Sequence, residues 1–384
     1  MKRLVCVIMA LLLLIPSISY GADLHENTRA VLLGEFESGE ILYEYSIDTQ
    51  IEVASLTKIM TYLVTIDQVS AGKASLDDIV TVSQKAAKTP GSSFKLKEGE
   101  KLSLKVLLES MMIVSANDSC VAIAEHISGS EDEFVKLMNN KAKEIRLEKT
   151  KYFNSSGYPL KNGVENVMST RDIFKLTRYV ISKYPQVLEI TKVNKLFLDY
   201  RNFSGENTNP LLNLIKDVDG FKTGFTDKAG KCLVATVQVK ENENNKKPFR
   251  LIGIVMGAKS DEDRKNISKK LIEYGLENYY YQQVLNKEVA KTSIDISNAK
   301  KESIEVFPKE DLYMLVKKGQ SIRENIIINE NLKAPIKEGT VVGKVVVSDI
   351  KGQEHTVDLV VRENVQKKNI IDMLFDLILN FVSK

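Results

Sequence analysis

Histidine and cysteine are both scarce in this sequence, at three residues each among 384. His25, His126 and His355 stand far apart, and none has a second histidine or a cysteine pair at ligand spacing, so no metal centre and no cofactor are expected. None lies beside a nucleophile motif, so a general base must come from another residue type. Cys6 falls in an N-terminal apolar segment. An exported chain would keep only Cys120 and Cys232, too few for the disulfide framework of a small secreted scaffold. A folded core must therefore carry the structure. The two thiols read as separate and buried, although whether they pair depends on a Cα separation that sequence does not supply.

Long apolar runs are also missing. The longest, beginning at Leu4, has about a dozen residues against the roughly 20 of a spanning helix. Nor is there an excess of charge of one sign: 54 Lys and Arg face 51 Asp and Glu, interspersed throughout. Without a basic stripe interleaved with aromatics, nucleic acid is not an expected partner.

What is present begins with Met1-Lys2-Arg3, the apolar run to Pro16 and the small residues up to Ala22, which together have the three regions of a secretory signal peptide. A membrane anchor is the alternative, disfavoured by length. Residues 1–22 are read as the signal and the remainder as one large and one small domain, 23–282 and 283–365, with a terminal helix over 366–384.

Apolar-rich runs at 29–36 and 40–45, separated by Ser38-Gly39, predict a hairpin. Helical periodicity then covers 57–69, 103–114, 116–127, 131–145 and 170–182. The period shortens at 231–240 and 249–256, and 261–281 is again helical. Strands at both ends of the segment with helices between describe an α+β domain, an antiparallel sheet packed by helices. Short β-type runs at 303–307, 312–316, 340–347 and 356–361 predict a small all-β domain without clustered nucleophilic or titratable residues.

Within 369–384, Ile370, Ile371, Met373, Leu374, Phe375, Leu377, Ile378, Phe381 and Val382 share one helical face, and Asp372, Asp376, Asn380 and Ser383 share the other. Leu379 is the misfit. The pattern fits a helix docked on its own domain and, with Lys367, Lys368 and Lys384 flanking it, equally an in-plane membrane helix.

Three short elements carry the chemistry: Ser55-Leu-Thr-Lys58, Ser115-Ala-Asn117 and Lys222-Thr-Gly224. Each alone is uninformative, and Ser55 could simply cap a helix beside a solvated lysine. Together, in this order, they form the kind of set found in penicillin-binding proteins and class A β-lactamases. Residues three apart share a helix face, so the Lys58 amine can reach the Ser55 hydroxyl and serve as its base if burial and a second cation, Lys222, lower its pKa. Gly224 lets a substrate backbone lie against a strand, while Lys222 and Thr223 present donors suited to a carboxylate. A turn preceding a strand is the bland alternative.

The stretches Val53-Ala-Ser-Leu-Thr-Lys-Ile-Met60, Met112-Ile-Val-Ser-Ala-Asn-Asp118 and Asp219-Gly-Phe-Lys-Thr-Gly-Phe-Thr226, with Ala229-Gly230, resemble the low-molecular-mass penicillin-binding proteins of the D-alanyl-D-alanine carboxypeptidase family. The resemblance runs from Arg29 to Tyr280, and the small β domain and terminal helix are similar to that family's C-terminal parts. It implies a serine acyl-enzyme that removes the terminal D-alanine from peptidoglycan stem pentapeptides and binds β-lactams. Ser55 would be the nucleophile, Lys58 the base, Ser115 a proton relay and Asn117 a holder of the substrate amide. Lys222, Thr223 and Gly224 would serve the carboxylate side, with Arg264 as a helper, and the N–H groups of Ser55 and Phe225 would form the oxyanion hole. An exported enzyme peripherally attached to the outer face of the cytoplasmic membrane through its terminal helix is also implied. Asn166 departs from the family, many members of which have a histidine near that position.

Two other functions share parts of this pattern. A class A β-lactamase needs a glutamate-held water, and no Glu-x-x-Leu-Asn motif occurs here. A non-catalytic wall-binding protein is the second, disfavoured because all named residues are present.

Overall fold

The computed structural model describes residues 24–301, 303–348 and 352–374. The chain divides into two compact units, one taking the residues up to Val237 with Ile252–Ile272, the other Gln238–Leu251 with the residues from Glu273 on. The expected signal segment lies outside the described residues.

A five-stranded sheet contains β1 (Ala30–Glu35), β2 (Ile41–Tyr45), β3 (Val218–Thr226), β4 (Gly230–Val239) and β5 (Phe249–Ala258), in the order β2-β1-β5-β4-β3. β1 is buried along its whole length and β5 nearly so, as strands with neighbours on both sides should be. β3 forms the edge beside the site and pairs antiparallel with β4, Gly224 opposite Cys232 and Lys222 opposite Val234. The expected α+β architecture is therefore present.

Five helices matter for the site: α1 (Lys58–Ser70), α2 (Leu104–Ile113), α3 (Asn117–Ser128), α4 (Glu131–Glu144) and α5 (Thr170–Lys183). The first nine residues of α1 are all buried, so this helix runs through the core and shows no exposed face there. α2, α4 and α5 are started by Ser103, Ser130 and Ser169, whose side chains accept from the N–H three residues on. Glu131, Asp132 and Glu133 at the start of α4 and Lys141 and Lys143 at its end complement the helix dipole.

The sixth helix, α6 (Asp261–Asn278), ends before the expected Tyr281, because Tyr279 opens a strand, β6 (Tyr279–Leu285). Three consecutive tyrosines suit a strand, and this one pairs with β9 (Leu312–Lys317), Tyr279 opposite Lys317. The second unit also holds β7 (Thr292–Ile294), β8 (Ile304–Pro308), β10 (Arg323–Ile328), β11 (Val341–Ser348) and β12 (Glu354–Val361), in a sheet ordered β7-β8-β12-β11-β10. β10 has no counterpart in the sequence reading. It is an edge strand with five of its six residues exposed, so no inward-facing alternation marks it.

Residues 370–374 are helical, with Ile370, Ile371, Met373 and Leu374 all exposed. The rest of the expected amphipathic helix lies outside the described residues. Among the described residues, no helix is long and apolar enough to cross a membrane. Cys120 and Cys232 are both buried and free.

Candidate active site

Ser55 does not sit on the α-helix itself. It lies in a tight 3₁₀ turn, Ala54–Thr57, which leads directly into α1. With three residues per turn, positions i and i+3 of a 3₁₀ segment eclipse, and Lys58 Nζ donates to Ser55 Oγ at 2.8 Å. The same ammonium donates to Asn117 Oδ1 and to the Ser156 carbonyl, each at 2.7 Å. All three donors of this fully buried lysine are used. Such partners are what an amine needs in a place that water does not reach.

Ser115 occupies the break between α2 and α3 in a left-handed conformation, φ 62°. Its hydroxyl accepts from Lys222 Nζ at 2.9 Å, and Lys222 also donates to the Thr223 carbonyl at 3.1 Å. Asn117, two residues on, is fixed from two sides: its Nδ2 donates to the Pro90 carbonyl at 2.8 Å and its backbone N–H to Ser92 O at 2.7 Å. Next to it Asp118 accepts from Ser93 Oγ, Phe94 N and Leu96 N, locking the 92–96 loop to the head of α3.

The strand β3 closes the other side. A Cβ at Gly224 would stand 3.1 Å from both Ser55 N and Val53 O, so only glycine allows the strand this near the turn. Thr223 is buried and its hydroxyl bonds that of Thr208 at 2.6 Å. Phe225 is half-exposed, with Lys231 Nζ 3.8 Å above its ring. Arg264 lies on α6, where its guanidinium meets Asp261 at 3.0 Å and its buried Nε finds no acceptor among the described residues.

Electrostatics follow from burial. Desolvation lowers Lys58 to about 8, while the Cys120 thiol and the Asp118 carboxylate act in the opposite sense. Lys222 is pushed well below an ordinary lysine by burial, then by the charge of Lys58 and, with opposition from Cys120, by that of Arg264. Of the two expected causes, burial is the one that lowers Lys58 in the free enzyme, while the repulsion between the two buried amines is mutual.

Residues from distant segments thus meet here, including the Ser156 carbonyl and Thr208, which sequence reasoning missed, and Asn166, singled out there without a role. Asn166 is fully buried. Its Oδ1 accepts from Phe153 N and Asn154 N, while its Nδ2 donates to Thr57 Oγ1 at 2.9 Å and to the Asn154 carbonyl at 3.0 Å. It thereby holds the loop that presents Ser156. Backbone acceptors carry no sequence signature, but the turn-rich Asn154-Ser-Ser-Gly157 could have been flagged as a constrained loop.

The family model described as D-alanyl-D-alanine carboxypeptidase matches residues 20–260, and that of the penicillin-binding protein 5 C-terminal domain matches 279–367. The chain is similar to the D-alanyl-D-alanine carboxypeptidase DacF of Bacillus subtilis, 33% identical over 84% of this chain and 81% of that protein. It is 30% identical to DacA of Escherichia coli over 83% and 79% respectively. Among solved structures, DacD from Francisella tularensis aligns with a TM-score of 0.67 at 28% identity, covering 89% of this chain and 94% of the other. Penicillin binding protein 5 from Haemophilus influenzae aligns at 0.66 and 29%, covering 89% and 98%.

Proposed function

The chain belongs to the D-alanyl-D-alanine carboxypeptidase family, and on that premise we propose that it releases the terminal D-alanine of peptidoglycan stem pentapeptides through an acyl-enzyme on Ser55. It is a serine hydrolase of cell-wall peptides, and β-lactams are its covalent ligands. The observation that carries the site assignment is the 2.8 Å bond between Lys58 Nζ and Ser55 Oγ, facing the 2.9 Å bond between Lys222 and Ser115.

In the reaction, Ser55 Oγ forms a bond to the carbonyl carbon of the penultimate D-alanine as its proton passes to neutral Lys58. Negative charge then develops on the carbonyl oxygen, where the N–H groups of Ser55 and Phe225 receive it. The C–N bond breaks as the leaving nitrogen takes a proton through Ser115, D-alanine departs, and water hydrolyses the ester. An incoming carboxylate supplies the anion that Lys222 lacks in the free enzyme, favouring its charged form. Charged Lys222 would in turn hold Lys58 neutral, the state that a base requires. Asn117 would steady the substrate amide and Thr223 the carboxylate, with Arg264 contributing its charge from α6.

The enzyme works outside the cytoplasm, which fits residues 1–22 as an export signal and the helix beginning near Ile370 as a peripheral membrane attachment. The exposed Ile370, Ile371, Met373 and Leu374 support the latter. Fractionating cells that express the chain with and without residues 369–384 tests it. The truncated form should leave the membrane fraction, and its continued pelleting would refute the attachment.

Incubation with a fluorescent penicillin, alongside D-alanine release from a pentapeptide, tests the chemistry. A lasting label and D-alanine release are expected, both lost in Ser55→Ala. Rapid turnover of the label would indicate a β-lactamase, and no label with no release a binding module.

A further inference from the structure

Glu165, adjoining the buried Asn166, is itself only 6% exposed although it is a carboxylate in no ion pair among those described. Its Oε2 accepts the hydroxyl of Thr226 at 2.6 Å. That hydroxyl in turn accepts the Ala229 N–H at 3.0 Å, so one threonine oxygen pins the β3–β4 turn and ties it to Glu165. Thr226 directly follows Phe225, one of the two oxyanion donors in the proposed reaction.

Asn166 reaches the other donor. Its carbonyl accepts the Val53 N–H at 3.1 Å, and its side-chain amide donates to Thr57 Oγ1 at 2.9 Å. These bonds flank the turn that holds Ser55. Asn166 also donates to the Asn154 carbonyl, and Asn154 Oδ1 accepts from Ser156 N and Gly157 N, so the Ser156 carbonyl facing Lys58 hangs from the same anchor.

We infer that the Glu165-Asn166 pair is a positioning brace that sets the separation of the two oxyanion donors, acting through Thr226 on one side and Thr57 and Val53 on the other. The inference rests on the acyl-enzyme reading above. The two donors lie on separate elements, a strand edge and a 3₁₀ turn, with no covalent or ladder connection; Gly224 packs the strand directly against the turn, and the Glu165-Asn166 pair is a further body hydrogen-bonded to both sides. Glu165 and Asn166 are consecutive in the chain, which makes that body about as short and stiff as a polypeptide allows. Donors for a developing oxyanion help only where they stand, and small displacements cost heavily. Neither residue touches the substrate in this reading. Their removal should slow the chemical step and leave binding nearly unchanged.

The test compares Glu165→Ala, Glu165→Gln and Thr226→Val with wild type, using kcat and KM for D-alanine release from a diacylated L-Lys-D-Ala-D-Ala peptide and the rate of penicillin labelling. Glu165→Ala should lower kcat and labelling rate about tenfold with KM within about twofold. Glu165→Gln keeps an acceptor for Thr226 and should restore most of the rate. Thr226→Val should cost at least as much as Glu165→Ala, because it also removes the acceptor of the Ala229 N–H, and the double variant should be no worse than Thr226→Val alone, since both single changes remove the Thr226–Glu165 bond. The brace is overturned if Glu165→Ala changes only the melting temperature, if the loss falls on KM alone, or if the two single effects add. A wild-type enzyme that neither labels nor releases D-alanine would instead refute the underlying function, a result distinguishable from any ratio between variants.

Discussion

The two units differ most in what they bury. The Ser55 unit encloses Lys58, Lys222, Asp118, Asn117, Glu165 and Asn166, all at 6% exposure or less. In the second unit Asn245 and Arg250 of the Gln238–Leu251 segment are buried polar side chains, whereas among the described residues from 279 to 374 none is buried. The core there is Leu285, Val306, Val316, Val345, Val347, Leu359, Val361 and their apolar neighbours. Ion pairs of that region, such as Arg362–Glu288 and Lys301–Glu363, lie at the surface, where such pairs stabilise little. A buried polar group costs stability unless it is fully bonded, so a fold keeps one where chemistry or positioning requires it. By that criterion the first unit carries the reaction, and residues 279–374 of the second carry packing.

The largest effects should therefore come from the buried cations. Lys58→Ala removes the amine bonded to Ser55 Oγ and should cut acylation by about 10³-fold or more, whereas Ser115→Ala removes a relay that water can partly replace, costing about 10²-fold. Penicillin labelling time courses decide the order, and equal or reversed losses would place the base elsewhere. The pH dependence sharpens this. Lys58 titrates at about 8, and only its neutral form accepts the Ser55 proton, so the acylation rate should rise with pH and level off above about 8. A rate already flat from pH 6 upward would break the assignment.

The elements of this contrast that local pattern determines were readable from sequence. Ser55 with Lys58, Ser115 with Asn117 and Lys222 with Gly224 are each set within one turn or strand, and helical or alternating periodicity located the elements that carry them. Unread were the bonds between segments far apart in the chain: Thr223 to Thr208, 15 residues away, and Thr226 to Glu165, 61 away. No residue type or spacing announces such a pair. Ser156 acts through its carbonyl, which every residue possesses. Arg264, expected beside the carboxylate on position alone, has its guanidinium against Asp261, yet its charge still bears on Lys222. In the second unit the alternating strands were legible, but β10, exposed on nearly every residue, had no inward face to betray it.

A smaller effect is expected from Gly224→Ala. The new methyl would press on the backbone atoms Ser55 N and Val53 O at 3.1 Å, a gap that must open by a few tenths of an ångström. The strand and the serine turn would part by that amount, and acylation should fall about tenfold. Full activity would mean that the spacing of strand and turn is not critical. That would also weaken the case for a brace that sets it.

The smallest effect on chemistry should come from the apolar core of the second unit. Leu359 is fully buried among valines on β12, and Leu359→Ala deletes three heavy atoms from a site whose β-sheet neighbours can close in only partly. A loss of about 3 kcal/mol is expected, as for large-to-small changes in well-packed cores. It should appear in calorimetry as an earlier melting of the transition that belongs to this unit. Among the described residues of 279–374, none contributes a group that bonds Ser55, Lys58, Ser115 or Lys222, so the labelled fraction at low temperature and the turnover of a soluble peptide per labelled Ser55 should equal those of wild type. A fall in turnover per labelled site, with folding intact, would show that the packing unit also shapes the reaction, and the division between the two units would then fail.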